Sequence, residues 1–209
     1  MPFVREMPVN QDIVALWKER SVAISATVKE VDSVEEALNY CLELCASASP
    51  HEELMGPESG TGNTLAAPGF PADQTRLLQE GCAARGLRFV NGDLRSRAGG
   101  IEVGVAWALA GLADTGTCVV QSTDEDVRLA TMLPETGVIL LRRSQILPSL
   151  EDSAELLHEL FSGDGSSFVA FISGPSRTAD IERVLTLGVH GPLALHAVLI
   201  NDVEQENAQ

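Results

Sequence analysis

One polar loop carries the residue types that bind a small anion. Residues 173–180 read Ser-Gly-Pro-Ser-Arg-Thr-Ala-Asp and lie between an apolar run and a predicted helix. Gly174 allows close approach and Arg177 supplies a positive charge, beside the free N–H groups of a helix start, which suit carboxylates and phosphates. The alternative is a well-capped helix without a ligand. Hydroxyl side chains complete the loop, at Ser173, Ser176 and Thr178.

A single histidine, His190, follows the predicted helix within the run Gly-Val-His-Gly-Pro. We keep it as a candidate catalytic residue, beside the more common structural role of a histidine in a Gly/Pro loop. A helix of about ten residues is about 15 Å long. In a plain βαβ unit, His190 and Arg177 therefore lie at opposite edges of the sheet. The two share a site only if the following strand is antiparallel or a second subunit contributes.

A second motif, Asp-Thr-Gly-Thr, occupies residues 114–117 after an apolar run. Two such motifs form the carboxylate pair of aspartic proteases, but this chain has one copy, so that chemistry requires a symmetric dimer. The alternative is a hairpin turn with a positive φ at Gly116. We keep Asp114 and Glu102 as candidate catalytic carboxylates, and the rest of the motif as candidate ligand contacts, at Thr115, Gly116 and Thr117.

Arginines are unevenly distributed along the chain. Arg142 and Arg143 follow a predicted strand at its carboxyl end, where open α/β sheets bind ligands. Five further arginines fall within residues 76–97. In an acidic protein such groups steer anionic ligands, and the alternative is a solvated face. We keep Arg142 and Arg143 as candidate ligand contacts.

Strands and helices alternate along the sequence. Because the later strands are short and continuously apolar, the pattern predicts a mostly parallel sheet covered by helices on both faces, a three-layer α/β/α fold. Strands are predicted over 23–31, 64–67, 87–90, 108–114, 117–121, 138–141, 168–172 and 195–200, and a strand or a short helix is predicted over 103–107. Helices are predicted over 9–20, 34–45, 73–85, 124–133, 153–161 and 178–187.

Composition excludes several classes of function. The 209 residues carry 14 Lys and Arg against 30 Asp and Glu, a net charge of −16. This charge disfavours nucleic-acid binding and docking on an anionic membrane. Neither a membrane-spanning run nor a signal peptide is indicated, so we expect a cytoplasmic protein.

The four cysteines predict buried, reduced thiols. They stand at 41, 45, 82 and 118, without a C-x-x-C pair, so zinc-ribbon and ferredoxin spacings are absent. The glycine fingerprint of dinucleotide sites is also missing. We therefore expect no metal and no cofactor in this chain.

Three segments together resemble the LUD (lactate utilization) domain family. Residues 103–117 resemble its G-I-T…A-I-A-E-T-G-T block, and residues 128–134 resemble its R-L-x-S-L-L-P segment. Residues 172–192 are similar to its closing block almost letter for letter. The sequence departs from the pattern at Ala106, Leu109 and Asp114.

The resemblance implies an α/β domain related to the ribose-5-phosphate isomerase, glucosamine-phosphate deaminase and CoA-transferase group. On that basis we expect an N-terminal helical extension over residues 1–22, a LUD-type α/β domain over 23–200 and a flexible tail over 201–209.

Three hypotheses on function follow. The first, implied by the resemblance, is a cluster-free subunit or accessory protein in the oxidation of L-lactate to pyruvate. It would work with iron–sulfur partner subunits and bind a small carboxylate or phosphate. The second is a stand-alone CoA-transferase-like or sugar-phosphate enzyme that uses Glu102 or Asp114 as nucleophile or base. The third is a non-catalytic module whose acidic surface docks a basic protein.

Overall fold

The computed structural model describes residues 10–49, 62–97, 100–162, 167–178, 186–187 and 191–202. Within these residues the chain forms five α-helices and twelve strands. The helices are α1 (Gln11–Ala23), α2 (Val34–Ser47), α3 (Ala72–Ala84), α4 (Glu125–Ala130) and α5 (Ala154–Phe161). The strands are β1 (Thr27–Val31), β2 (Thr64–Ala66), β3 (Arg88–Val90), β4 (Val103–Trp107), β5 (Ala110–Leu112), β6 (Thr117–Gln121), β7 (Thr136–Arg142), β8 (Ile146–Leu147), β9 (Val169–Ile172), β10 (Arg177–Thr178), β11 (Thr186–Leu187) and β12 (Ala194–Ile200).

Six strands form a central sheet in the order β1-β12-β7-β4-β2-β3, and every pair is parallel. The middle strands are almost continuously apolar because both faces of the sheet are covered. In β7, Val138 and Leu140 point to one face, and Ile139 and Leu141 point to the other. The α/β fold with a mostly parallel sheet is therefore confirmed.

Helices α2 and α3 cover one face of the sheet. Ser33 begins α2, because its side chain accepts a hydrogen bond from the backbone N–H of Glu36. The buried side of α2 then repeats at helical spacing through Leu38, Cys41 and Cys45. These side chains share one core with strands β2, β4, β7 and β12.

Helix α1 and a second sheet lie against the other face. The second sheet has the order β8-β5-β6-β9. Trp17 of α1 is fully buried in the core that these elements share with β7 and β12. Its indole nitrogen donates a hydrogen bond to the backbone carbonyl of Thr117, 3.3 Å away. This second sheet was not expected from the sequence.

The Asp-Thr-Gly-Thr motif forms the turn of a hairpin. Strands β5 and β6 pair antiparallel, and Leu112 faces Thr117 across the turn. Gly116 has φ +67°, and a Cβ there would lie 2.4 Å from the backbone nitrogen of Ser21. The turn therefore requires glycine both for its conformation and for its contact with α1.

Two predictions about the C-terminal region are wrong. Strand β9 belongs to the second sheet, antiparallel to β6, so the loop after it does not lie at the carboxyl edge of the parallel sheet. The helix predicted over 178–187 is absent at both described ends, because β10 and β11 pair there as an antiparallel ribbon.

The predicted strand from residue 23 also begins later, at Thr27, since α1 continues to Ala23.

Among the described residues, no helix has the length and apolar character needed to cross a membrane.

Candidate functional site

A cleft of about 670 Å³ opens where β2 and β4 end. One wall is the segment after β2, and the floor is the end of β4. The opposite wall comes from the end of β6 and the start of α4. Ten residues line it: Pro68, Gly69, Phe70, Pro71, Trp107, Leu109, Gln121, Thr123, Asp124 and Val127.

The topology places this cleft where ligands of open α/β sheets bind. Strands β2 and β4 are neighbours in the central sheet. After β2 the next strand of the central sheet is β3, on one side, whereas after β4 the next strand of this sheet is β7, on the other. The connections diverge at this point, so a crevice forms outside the carboxyl ends of the two strands.

Two aromatic rings dominate the apolar part of the cleft. The rings of Phe70 and Trp107 have centroids 6.2 Å apart and are inclined by 41°. The indole nitrogen of Trp107 donates a hydrogen bond to Oε1 of Gln74, 3.0 Å away on α3. Ring packing and this hydrogen bond together restrain the orientation of the indole.

Arg142 lies against the same indole. It is the last residue of β7, next to β4, and its guanidinium carbon is 5.2 Å from the centroid of the Trp107 ring. The side chain is half-buried and makes neither a hydrogen bond nor an ion pair with any residue that the structure describes. A guanidinium stacked on an aromatic ring keeps its N–H donors free for an anion.

The α4 wall is held close to the sheet by a glycine. A Cβ on Gly104 of β4 would lie 2.1 Å from the backbone oxygen of Ala130 at the end of α4. At the other end, Asp124 begins the helix by accepting a hydrogen bond from the backbone N–H of Asp126, 2.7 Å away. Glycine in β4 therefore lets α4 approach and present Val127 to the cleft.

The hydroxyl residues of the two predicted motifs do meet, but away from this cleft. Oγ1 of Thr117 lies 2.8 Å from Oγ1 of Thr115 and 2.7 Å from Oγ of Ser173. This cluster lies at the C-terminal end of α1, where Ser21 donates a hydrogen bond to the carbonyl of Gly116.

The predicted anion-binding loop contacts the same end of α1. Arg177 donates a hydrogen bond to the backbone carbonyl of Ile24. Gly174 has φ +81°, and a Cβ there would lie 2.3 Å from that carbonyl oxygen. The backbone N–H of Ser176 donates to the carbonyl of Pro192, 2.9 Å away. Gly174 and Arg177 therefore hold the loop against the C-terminal end of α1, and we call this contact the α1 clasp.

The structure places the predicted ligand residues at three positions, of which Arg142 beside Trp107 is the first. Arg143 donates a hydrogen bond to Gln11 at the start of α1, over 2.6 Å. Arg177 and Ser173 lie at the other end of this 13-residue helix, which is about 20 Å long. The side chain of Thr178 and all of His190 lie outside the described residues, so their placement stays a prediction.

The two candidate carboxylates are also apart from the cleft. Glu102 precedes β4, at the amino edge of the sheet, where it is buried and accepts a hydrogen bond from the backbone N–H of Thr64 over 2.5 Å. Asp114 is exposed on the hairpin turn, and its backbone N–H donates to the carbonyl of Pro148. The hydrogen bond from Thr64 to Glu102 holds β2 beside β4.

Comparison with known proteins decides the family. The family model of the LUD domain matches residues 14–200. The chain belongs to the LUD domain family. The resemblance of the three sequence segments is thereby confirmed, over a region that includes both the cleft and the α1 clasp.

The LUD domain has named relatives in several bacteria. Lactate utilization protein C of Shouchella clausii (strain KSM-K16) is 27% identical over 203 residues, covering 92% of this chain and 81% of that protein. The uncharacterized protein YkgG of Escherichia coli (strain K12) is 40% identical over 109 residues, 51% of this chain. Lactate utilization protein C of Geobacillus kaustophilus (strain HTA426) is 36% identical over 103 residues, 48% of this chain. The matches span about half of the last two relatives, 47% and 43% of their lengths.

A solved structure shares the fold of this LUD domain. The crystal structure of a DUF162 family protein from Deinococcus radiodurans superimposes with a TM-score of 0.59 at 14% identity. The superposition covers 93% of this chain and all of the other. At this identity the likeness establishes the fold.

The four thiols of the LUD domain are buried and unpaired, as the sequence predicts. Burial raises the pKa of Cys41, Cys45 and Cys118 to about 12 and that of Cys82 to about 11. The first two and Cys82 share the core on one face of the sheet, whereas Cys118 lies on the other face. Four thiols on two faces cannot converge on one metal centre. No group of three or more potential metal ligands occurs among the described residues.

The sequence predicts Arg142 as a ligand contact but does not predict its aromatic neighbours. Phe70 lies between two prolines directly after β2, and Trp107 ends β4. Two aromatic residues near the carboxyl ends of adjacent parallel strands would have indicated the cleft. The sequence does not show that β2 and β4 are adjacent, because β3 lies between them along the chain.

Proposed function

We propose that this LUD domain protein takes part in the oxidation of L-lactate to pyruvate, as a subunit or accessory protein without an iron–sulfur cluster of its own. It would work with partner subunits that carry the clusters. The observation that carries this proposal is the alignment with a lactate utilization protein C over 92% of the chain. The separation of the thiols on two faces of the sheet supports the assignment of the clusters to other chains.

The proposal includes a site for a small anionic metabolite, and the cleft at β2 and β4 suits it best. The guanidinium of Arg177 already donates a hydrogen bond to the backbone carbonyl of Ile24. Arg142, by contrast, has free N–H donors beside Trp107, which lines the cleft, and arginine matches a carboxylate or a phosphate through two parallel hydrogen bonds. In a chain of net charge −16, such a cation is a local exception to a field that repels anions.

Removing the gene tests this function. We expect a strain that lacks only this protein to lose growth on L-lactate as the sole carbon source and to keep growth on pyruvate, the product of the blocked step. A plasmid copy of the gene should restore growth on lactate. Normal growth of the deletion strain on L-lactate contradicts the proposed function.

A further inference from the structure

We propose that the cleft binds a ligand of mononucleotide size, in which a planar nitrogen heterocycle packs on Trp107 and Phe70 and a phosphate or carboxylate meets Arg142. The inference rests on the proposed function only in taking the cleft as the ligand site. It goes further in naming a ligand class that differs from lactate itself.

The size of the cleft argues against a three-carbon acid as its main occupant. Its volume is about 670 Å³, whereas a water molecule takes about 30 Å³ of liquid and lactate has the bulk of a few waters. Pockets of about 300 to 1,000 Å³ enclose ligands of drug or cofactor size. A lactate ion leaves most of this cleft filled with water, against walls that are mainly apolar.

The shape of the apolar part favours a planar ring. Phe70 and Trp107 are inclined by 41° with centroids 6.2 Å apart, and both side chains are half-buried, so part of each ring is accessible. Pro68 and Pro71 extend the apolar surface beside them. Ring stacking and edge contacts of this kind add to the burial of apolar area. Because Gln74 holds the indole, stacking requires little reordering.

Arg142 beside the cleft and Gln121 in its lining together fit a heterocycle that carries an anionic group. The Arg142 guanidinium lies against the Trp107 ring, so an anion bound to Arg142 is next to a ring stacked on the indole. Gln121 lines the opposite side, and its side-chain amide makes no hydrogen bond with another described residue, so this amide can pair with ring nitrogens or carbonyls. A hydrocarbon ring leaves that amide unpaired.

Calorimetric titration of the full-length protein tests the inference. The probes are adenosine 5′-monophosphate, flavin mononucleotide and nicotinamide mononucleotide, each a planar heterocycle with an anionic group. Adenosine and ribose 5-phosphate represent the separate halves. The variants are Arg142→Gln, Arg142→Lys and Trp107→Leu, and the charge-matched control is Arg20→Gln, an exposed residue at the far end of α1. A melting temperature for each variant verifies that it folds.

Tryptophan fluorescence locates the bound probe without relying on the variants. The chain has two tryptophans, so in Trp17→Phe the emission comes from Trp107 alone. We expect at least one of the three probes to bind saturably and quench this emission. Each half of the adenylate should bind at least about tenfold more weakly than the whole if adenylate is the ligand, since each half keeps only part of the contacts.

Arginine removal then assigns the anion. Arg142→Gln should weaken the binding about tenfold or more, because it deletes a charged hydrogen bond, and Arg20→Gln should leave it unchanged. The absence of saturable binding by all three probes in the low millimolar range overturns the inference. Binding that Arg142→Gln and Trp107→Leu leave within about twofold of wild type also overturns it. The growth test on lactate uses none of these probes, so failure of the ligand class is distinguishable from failure of the proposed function.

Discussion

The Gly104→Ala protein should unfold at a temperature about 10 °C below that of the wild type, corresponding to a loss of about 3 kcal/mol or more. A Cβ at this position lies 2.1 Å from the backbone oxygen of Ala130 and 2.3 Å from Cγ of Pro134. A carbonyl oxygen at the end of a helix has no rotamer with which to move aside. The added methyl group therefore pushes α4 away from β4.

A matched control is available on the neighbouring strand. Gly137 of β7 pairs in register with Gly104, but a Cβ there meets side-chain atoms, Cγ of Pro192 at 3.1 Å and Cδ1 of Leu195 at 3.2 Å. Side chains adjust more easily than backbone, so Gly137→Ala should cost about 1 kcal/mol or less. Thermal unfolding of both variants makes the comparison. Equal melting temperatures of the two contradict the close approach of α4 to the sheet.

The Trp17→Ala protein should lose about 3 to 5 kcal/mol of its free energy of unfolding, a fall of about 10 °C in melting temperature. Trp17 is fully buried in the core between the central sheet and the second sheet. Its truncation leaves a cavity that the rigid surroundings fill only in part. It also leaves the carbonyl of Thr117 without the indole hydrogen bond.

An exposed residue of the same helix provides the control for this second variant. Val22 is 61% exposed, so Val22→Ala should change the free energy of unfolding by less than about 0.5 kcal/mol. Urea titration of both variants at one temperature measures the difference. If Trp17→Ala is as stable as Val22→Ala, α1 is an appendage and does not belong to the core.

Local signals in the sequence were sufficient for most elements of the central sheet. The apolar runs that become β4, β7 and β12 carry their own periodicity and burial pattern. Thr115–Gly116 marks a turn because glycine accepts a positive φ without strain. Side chains that cap helices, such as Ser33, act within four residues of their partners. Such features depend on neighbours along the chain, so a single sequence contains them.

Features that depend on distant residues could not be read from the sequence. An apolar strand such as β9 looks the same in a parallel or an antiparallel sheet, and its partner β6 lies about fifty residues earlier. The anion loop had the composition of a ligand site, but its arginine bonds to the carbonyl of Ile24, more than 150 residues away. The composition of a loop shows which chemistry is available, and tertiary contacts decide whether it is already used.

The candidate site shows the same division. Because Arg142 follows an apolar run, the sequence predicts it at the carboxyl edge of the sheet, and the structure confirms that position. The contribution of Trp107 and Phe70 depends on β4 and β2 being neighbours, although β3 lies between them in sequence.

Complementation with an Arg142 variant tests whether Arg142 is required for growth on L-lactate. In a strain that lacks this gene, plasmid copies encode the wild type, Arg142→Gln or Arg20→Gln, and growth on L-lactate is measured with protein levels verified by immunoblotting. We expect the wild type and Arg20→Gln to restore growth, whereas Arg142→Gln, present at the same level, should not. Growth of the Arg142→Gln strain at the wild-type rate contradicts it.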